Sequence, residues 1–186
     1  NIDEFLEGVD VFVDGFDFFV LDIRRKVFQR CYELGIPAVT AAPIGMGTAY
    51  LCFSPQGMSF EDYFNFSGLT QSQQYINFVM GLTPKAFHRH YLIDPTRLDL
   101  VNKRGPSTVM GINLCAGVVA TEVLKILTGR GKVYYAPYYQ AFDAYQCQWG
   151  RGKLRWGNNG PLQKLKCQLG YKMSQQVAAQ SVAPDE

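Results

Sequence analysis

Residues 9–24 constrain the chain more than any other stretch. Val9 to Val13 form an apolar run with Asp10 inside it, and the run ends in Asp14-Gly15-Phe16-Asp17. Apolar residues at helical spacing follow. The pattern predicts a buried strand, a tight turn carrying two carboxylates, and a helix. In open α/β sheets, ligands bind at the carboxyl ends of strands, where such turns lie. Asp14 and Asp17 are therefore the first candidates for chemistry. Local pattern alone also gives them ordinary work, Asp14 as a turn residue and Asp17 as a helix N-cap.

The 186 residues are enough for one domain with a real core. A short helix over 2–7, closed by Gly8, precedes a strand over 9–14. The next helix is predicted over 18–34. Leu21, Val27, Phe28, Cys31 and Leu34 line its apolar face, and Arg24, Arg25, Gln29, Arg30 and Glu33 cover the other. Gly35 and Pro37 stop it. Strands over 36–44 and 48–53, joined by Gly45-Met46-Gly47, form an antiparallel hairpin. The aromatic residues Phe60, Tyr63, Phe64 and Phe66 open a long segment, 58–104. They suit a substrate groove or, more ordinarily, a satellite core under an insertion.

A helix over 72–80 and another from Pro84 through Tyr91 follow, then a turn at 94–97 and a loop at 103–105. His88-Arg89-His90 sits in the second helix. Histidines at i and i+2 diverge on a helix, so surface or packing roles fit better than metal ligation. The longest apolar helix is predicted over 107–128, ended by Gly129. It is apolar nearly all round, which predicts a central, buried helix or one at a subunit interface. Cys115 within it reads as a small core residue. Strands are expected over 133–139 and 140–149, with Pro137 at an edge or a bulge. A glycine-rich loop over 150–160, an amphipathic helix over 161–179 and a frayed tail over 181–186 complete the chain.

Composition excludes several classes. The formal net charge is +2 without a long basic block, which leaves no footprint for nucleic acid. The five cysteines, at 31, 52, 115, 147 and 167, form no Cys-x-x-Cys pair. Zinc is therefore not expected, and reduced thiols in a cytoplasmic protein are. No signal peptide opens the chain. No apolar run reads as long enough to span a membrane, since the best stretch, 109–127, carries Asn113, Glu122 and Lys125. The chain opens on Asn1 and reaches a core-type strand within nine residues, so it reads as the later part of a longer protein.

Four blocks in order carry a resemblance. They are Val-Asp-Gly-Phe-Asp with an Arg-bearing helix, Leu-Gly-Ile-Pro-Ala-Val, Thr-Ala-Ala-Pro-Ile-Gly-Met-Gly with its returning strand, and Gly-Ile-Asn-Leu-Cys-Ala-Gly-Val-Val-Ala-Thr-Glu-Val-Leu-Lys before a strand ending in Phe-Asp-Ala-Tyr. Over residues 1–148 this resembles the second half of the ThiF/MoeB/HesA superfamily, the ubiquitin-activating-enzyme-like adenylyltransferases. The resemblance implies an α/β fold, a Rossmann-like mixed sheet flanked by helices. The sheet would be incomplete at its N-terminal side, a parallel strand followed by antiparallel ones. Residues 1–149 would be the C-terminal part of the adenylyltransferase domain, and 150–186 a loop, helix and tail.

The resemblance also implies chemistry. Such enzymes bind ATP and Mg, and a carboxylate attacks the α-phosphate to give an acyl-adenylate. The partner implied is a ubiquitin-like or sulfur-carrier protein, or a small acyl acceptor, with a homodimer for the full-length protein. Asp17 aligns with the family's Mg- and ATP-binding aspartate, and Asp14 with a companion acid. No catalytic residue is assigned. Four departures stand out. Phe18 replaces the usual Asn. The zinc-binding Cys pairs are missing. Residues 54–114 hold no Cys for a thioester step. The Gly-rich nucleotide loop and its basic residues would lie upstream of Asn1, so the chain alone is not expected to adenylate. A non-catalytic interaction domain of the same fold is the alternative.

Overall fold

The computed structural model describes residues 1–86, 88 and 108–180, the side chains of 177–180 excepted. The expected turn at 94–97, the loop at 103–105, the tail, and most of the helix expected from Pro84 lie outside the described residues. In chain order the elements are α1 (Ile2–Leu6), β1 (Phe12–Asp14), α2 (Leu21–Leu34), β2 (Ala38–Ile44), β3 (Gly47–Phe53), α3 (Phe60–Phe64), α4 (Gln71–Leu82), α5 (Val109–Thr128), β4 (Tyr138–Asp143), β5 (Gln148–Lys153) and α6 (Pro161–Gln180). A 3₁₀ turn, Gly157–Asn159, leads into α6.

The five strands form one mixed sheet in the order β1-β2-β3-β4-β5. β1 and β2 are parallel, with Asp14 opposite Thr40. The other pairs are antiparallel. This is the α/β arrangement expected, one parallel pair followed by antiparallel strands, flanked by helices.

β3 is buried along its whole length and serves both faces of the sheet. Ala49, Leu51 and Phe53 point into the aromatic core. Thr48 meets Cys115 of α5 on the other side. The core gathers the rings of α2, α3 and α4 on the first face. Phe28 stacks on Phe60 with centroids 4.1 Å apart. Phe53 lies 5.4 Å from Phe60, and Phe64 5.0 Å from Phe78. Phe60, Tyr63, Phe64 and Phe66 therefore belong to the main core and form no satellite. Each good aromatic pair adds about 1 kcal/mol beyond area burial, so α3 is a structural keystone despite its five residues.

Several expected boundaries shift for physical reasons. α2 begins at Leu21 and not at Phe18, because Asp17 to Val20 form a turn closed by Val20 N–H donating to the Asp17 carbonyl. Gly35 ends α2 in the left-handed region, at φ 77°, as the sequence suggests. The strands expected over 133–139 and 140–149 are instead β4 and β5, separated by a turn. Two of the four glycines read as loop, Gly150 and Gly152, in fact lie in β5: Gly152 sits where a Cβ would strike the Tyr139 ring and hydroxyl.

α5 differs most from expectation. It lies along β2 and β3, and only Gly111 and Glu122 are buried. Met110, Ile112, Leu124 and Leu127 face outward. By length and composition it could cross a membrane, with a mean hydropathy of 1.6, contrary to the sequence reading. Its inner side is instead fixed to the sheet by polar contacts. The Thr108 hydroxyl donates to the Gly45 carbonyl at 2.8 Å. Cys115 hydrogen bonds with the Thr48 hydroxyl of β3 at 3.0 Å, while the buried Glu122 pairs within the helix with Lys125 at 2.6 Å.

Candidate functional site

The loop from Asp14 to Val20 sits at the carboxyl end of β1, where the parallel pair hands over to α2. Its two acids are held very differently. Asp14 is buried and fully engaged. Its Oδ2 accepts from Arg24 Nε and from the Thr40 hydroxyl, both at 2.7 Å, and its Oδ1 accepts from the Phe16 N–H at 3.1 Å. Asp17 is exposed. Its Oδ1 accepts from the Phe19 N–H at 2.9 Å, and its Oδ2 has no partner among the described residues. Asp17 is thus not the N-cap of α2, a position held by Val20.

Arg24 organises the loop. Besides Asp14, its guanidinium donates to the carbonyls of Phe16 at 2.7 Å, Asp17 at 3.0 Å and Phe18 at 3.2 Å. The sequence reading put Arg24 on the outer face of its helix, yet it is only 3% exposed. The signal was present in the spacing. Positions 21, 24, 28 and 31 fall on one helical stripe, which directs Arg24 inward. Thr40 was also missed, and only strand register reveals it. The charge that Arg24 brings into the protein is matched by Asp14 and by three carbonyls, which a buried cation requires.

Phe18, which stands where Asn was expected, is part-buried against Phe19, Tyr75 and Phe78 at centroid distances of 4.9, 6.0 and 5.4 Å. The Tyr75 hydroxyl donates to the Phe19 carbonyl at 2.9 Å. Its pKa is raised, first by burial and then by the nearby Asp22 and Asp17 carboxylates. The loop is therefore pinned from below by Arg24 and from the side by α4, while the Asp17 carboxylate is left facing solvent.

Among the described residues no group of three or more His, Cys, Asp or Glu could hold a metal ion. Mg differs from zinc in this respect. It keeps several waters and is commonly bound through one or two carboxylates together with substrate phosphates. Asp17, with one oxygen anchored and the other open, suits a single-carboxylate role, and Asp14, with both oxygens occupied, does not. His88 is a packing histidine, buried beside Asp143 with Nδ1–Oδ2 at 2.9 Å. Cys115 hydrogen bonds with Thr48 at 3.0 Å, and burial raises its pKa, so it is held as a thiol.

A mixed sheet whose parallel edge ends in an acid-bearing loop defines a Rossmann-like α/β protein. The chain belongs to the ThiF family, whose sequence profile matches residues 1–161. A search of curated protein sequences returns no match. Among solved structures, PaaA is similar in fold, with a TM-score of 0.51 and 10% identity over 82% of this chain and 38% of that one. E. coli MccB with ATP gives 0.51 and 13% over 83% and 40%. E. coli MccB with MccA-N7isoASN gives 0.51 and 11% over 83% and 41%. The chain thus spans about two fifths of the length of these neighbours.

Proposed function

We propose that this chain supplies the metal-side wall of an ATP- and Mg-dependent adenylyltransferase. The observation that carries the reading is the Asp17 carboxylate, exposed at the carboxyl end of a parallel strand with one free oxygen, on a loop clamped by Arg24. Membership of the ThiF family supports the reaction class. In that reaction a carboxylate oxygen bonds to the α-phosphorus of ATP and pyrophosphate leaves, giving an acyl-adenylate. Mg offsets charge on the leaving group. Asp17 would hold the ion, and Asp14 would support it at one remove by fixing Arg24 and hence the loop.

The carboxylate donor in this reading is the C-terminus of a ubiquitin-like or sulfur-carrier protein. The exposed apolar side of α5 suits a homodimer. No Gly-x-Gly-x-x-Gly loop lies within the 186 residues, so the chain by itself is expected to be inactive. A non-catalytic interaction domain is the second reading, favoured by Phe18, whose ring packs into the protein at a position that commonly bears Asn.

The test is ATP–pyrophosphate exchange by the full-length protein that carries these residues, with Asp17→Asn alongside. Asparagine keeps the acceptor for the Phe19 N–H but loses the charge. A fall of at least about 100-fold, of the size seen when electrostatic stabilisation is removed, is expected. Exchange unchanged by Asp17→Asn would remove Asp17 from the site. No exchange by the wild type with any carboxylate donor would favour the interaction domain.

A further inference from the structure

At the opposite edge of the sheet from Asp17, about 19 Å away at the usual strand spacing, β5 presents a surface with a marked chemistry. Between residues 130 and 156 the sequence holds five basic side chains, Arg130, Lys132, Arg151, Lys153 and Arg155, against one acid, Asp143. Asp143 is fully buried and hydrogen bonded to His88. None of the five basic residues has a carboxylate partner among the described residues. Among the described residues β5 pairs with β4 on one side only. Trp149, Arg151 and Lys153 alternate along one exposed face of it, and Trp149 is 58% exposed.

The cations rest on rings. The Arg151 guanidinium lies 3.7 Å from the Tyr134 centroid and 5.6 Å from that of Trp149. Lys132 lies 5.0 Å from Tyr134, and Lys153 5.0 Å from Tyr138. A guanidinium stacked on a ring keeps its N–H edge free and pre-oriented for a carboxylate.

We propose that β5 and this aromatic-basic strip dock an acidic, extended peptide segment by strand addition. An open strand edge offers backbone pairing, and alternate side chains give specificity. Partner residues opposite Lys153 and Arg151 would be acidic, and the one opposite Trp149 apolar. In the antiparallel sense this reads acid-x-acid-x-apolar. A second copy of β5 is disfavoured, because like charges would face each other. Charges placed only to blunt an edge would not need an exposed Trp beside them. A nucleic-acid strand would need open ring faces for stacking, and here the Tyr134 ring is covered by Arg151. Docking at β5 requires no nucleotide at Asp17.

The test uses the chain and a fluorescein-labelled peptide, Thr-Glu-Thr-Glu-Thr-Phe-Thr, in an anisotropy titration at low and moderate salt. Saturable binding is expected, weakened at least about tenfold by Arg151→Glu with Lys153→Glu. Loss of binding is expected when Lys replaces both Glu in the peptide, and when its alternate amides are N-methylated. Slowed amide exchange at Gln148–Lys153 on binding would support strand addition. Arg151→Gln serves as a milder variant, and the thermal midpoint checks that each variant is folded. No saturable binding, equal affinity of the folded double variant, or tighter binding of an oligo-dT strand would each overturn the proposal.

Discussion

Arg24 Nε donates to Asp14 Oδ2 across 2.7 Å, with 3% and 1% of the two side chains exposed. The pair joins the end of β1 to the first turns of α2 and fixes the loop between them through three further carbonyl contacts. Removing either partner leaves a buried charge without its counterion. Arg24→Met is expected to cost about 3–5 kcal/mol, and Asp14→Asn somewhat less, since an amide still accepts from Thr40. The double variant should fall short of the sum of the two, because the residues share one interaction. Urea unfolding of the three variants measures this. Strict additivity would show that the pair is not coupled.

Asp17 should behave in the opposite way. It is exposed, and among the described residues its carboxylate is hydrogen bonded to the Phe19 N–H alone. Asp17→Asn keeps that acceptor and should leave stability within about 0.5 kcal/mol of the wild type. Asp17→Ala loses it and should cost about 1 kcal/mol, the usual value of such a local acceptor. Denaturant midpoints for both variants check this. Together with the Arg24 series they separate a residue free to hold a ligand from those that hold the protein.

The acid-bearing turn and the helix after it were legible because each carries a local signal, Asp and Gly in the turn and Gly35 past the last helical turn. The β2–β3 hairpin was legible for the same reason. Of the strand expected over 9–14 only Phe12–Asp14 forms, the part that pairs with β2. What could not be read depends on tertiary contact. Arg24 faces inward because a buried acid awaits it ten residues away, and Thr40 joins them only through the β1–β2 register. α5 is apolar on all sides, so periodicity could not say which side the sheet would cover. β5 contains Gly150 and Gly152, which read as loop until Tyr139 is seen to fill the space beside Gly152. At the candidate site, Asp17 and Asp14 were proposed from a motif, whereas the open oxygen of Asp17 and the full engagement of Asp14 follow from tertiary contacts that no motif carries.

The thiols predict an alkaline limit to stability. Burial pushes Cys31 and Cys167 from an ordinary value near 9 up to about 11, and it raises Cys52 and Cys115 as well. A group whose pKa is higher in the folded state holds its proton there after the unfolded chain has released it. Its stabilisation is complete below pH 9 and is lost as pH rises toward the folded value. Stability should therefore decline between about pH 9 and 11, by at most about 1.4 kcal/mol per pH unit for each buried thiol. Urea titrations across that range test the slope. Native-state labelling at pH 8 with a maleimide should modify the exposed Cys147 first and spare Cys31, Cys52 and Cys167 until unfolding. Early loss of Cys52 would contradict its burial.

Two glycines in the left-handed region separate strain from crowding. Gly129 ends α5 at φ 63° with open space where a Cβ would stand. Gly157, at φ 54°, faces the backbone of Tyr63, and a Cβ there would lie 2.8 Å from its Cα and 2.9 Å from its carbonyl carbon. Backbone cannot turn aside as a side chain can. Gly129→Ala should cost about 1 kcal/mol, the conformational penalty alone. Gly157→Ala adds overpacking of about 1–3 kcal/mol, and it pushes on α3, whose rings hold the main core. The two variants should thus differ clearly in urea midpoint, with the Gly157 variant the weaker. Near-equal midpoints would mean that α3 can move away from the 3₁₀ turn, and that the Tyr63–Gly157 contact does not fix the C-terminal helix to the core.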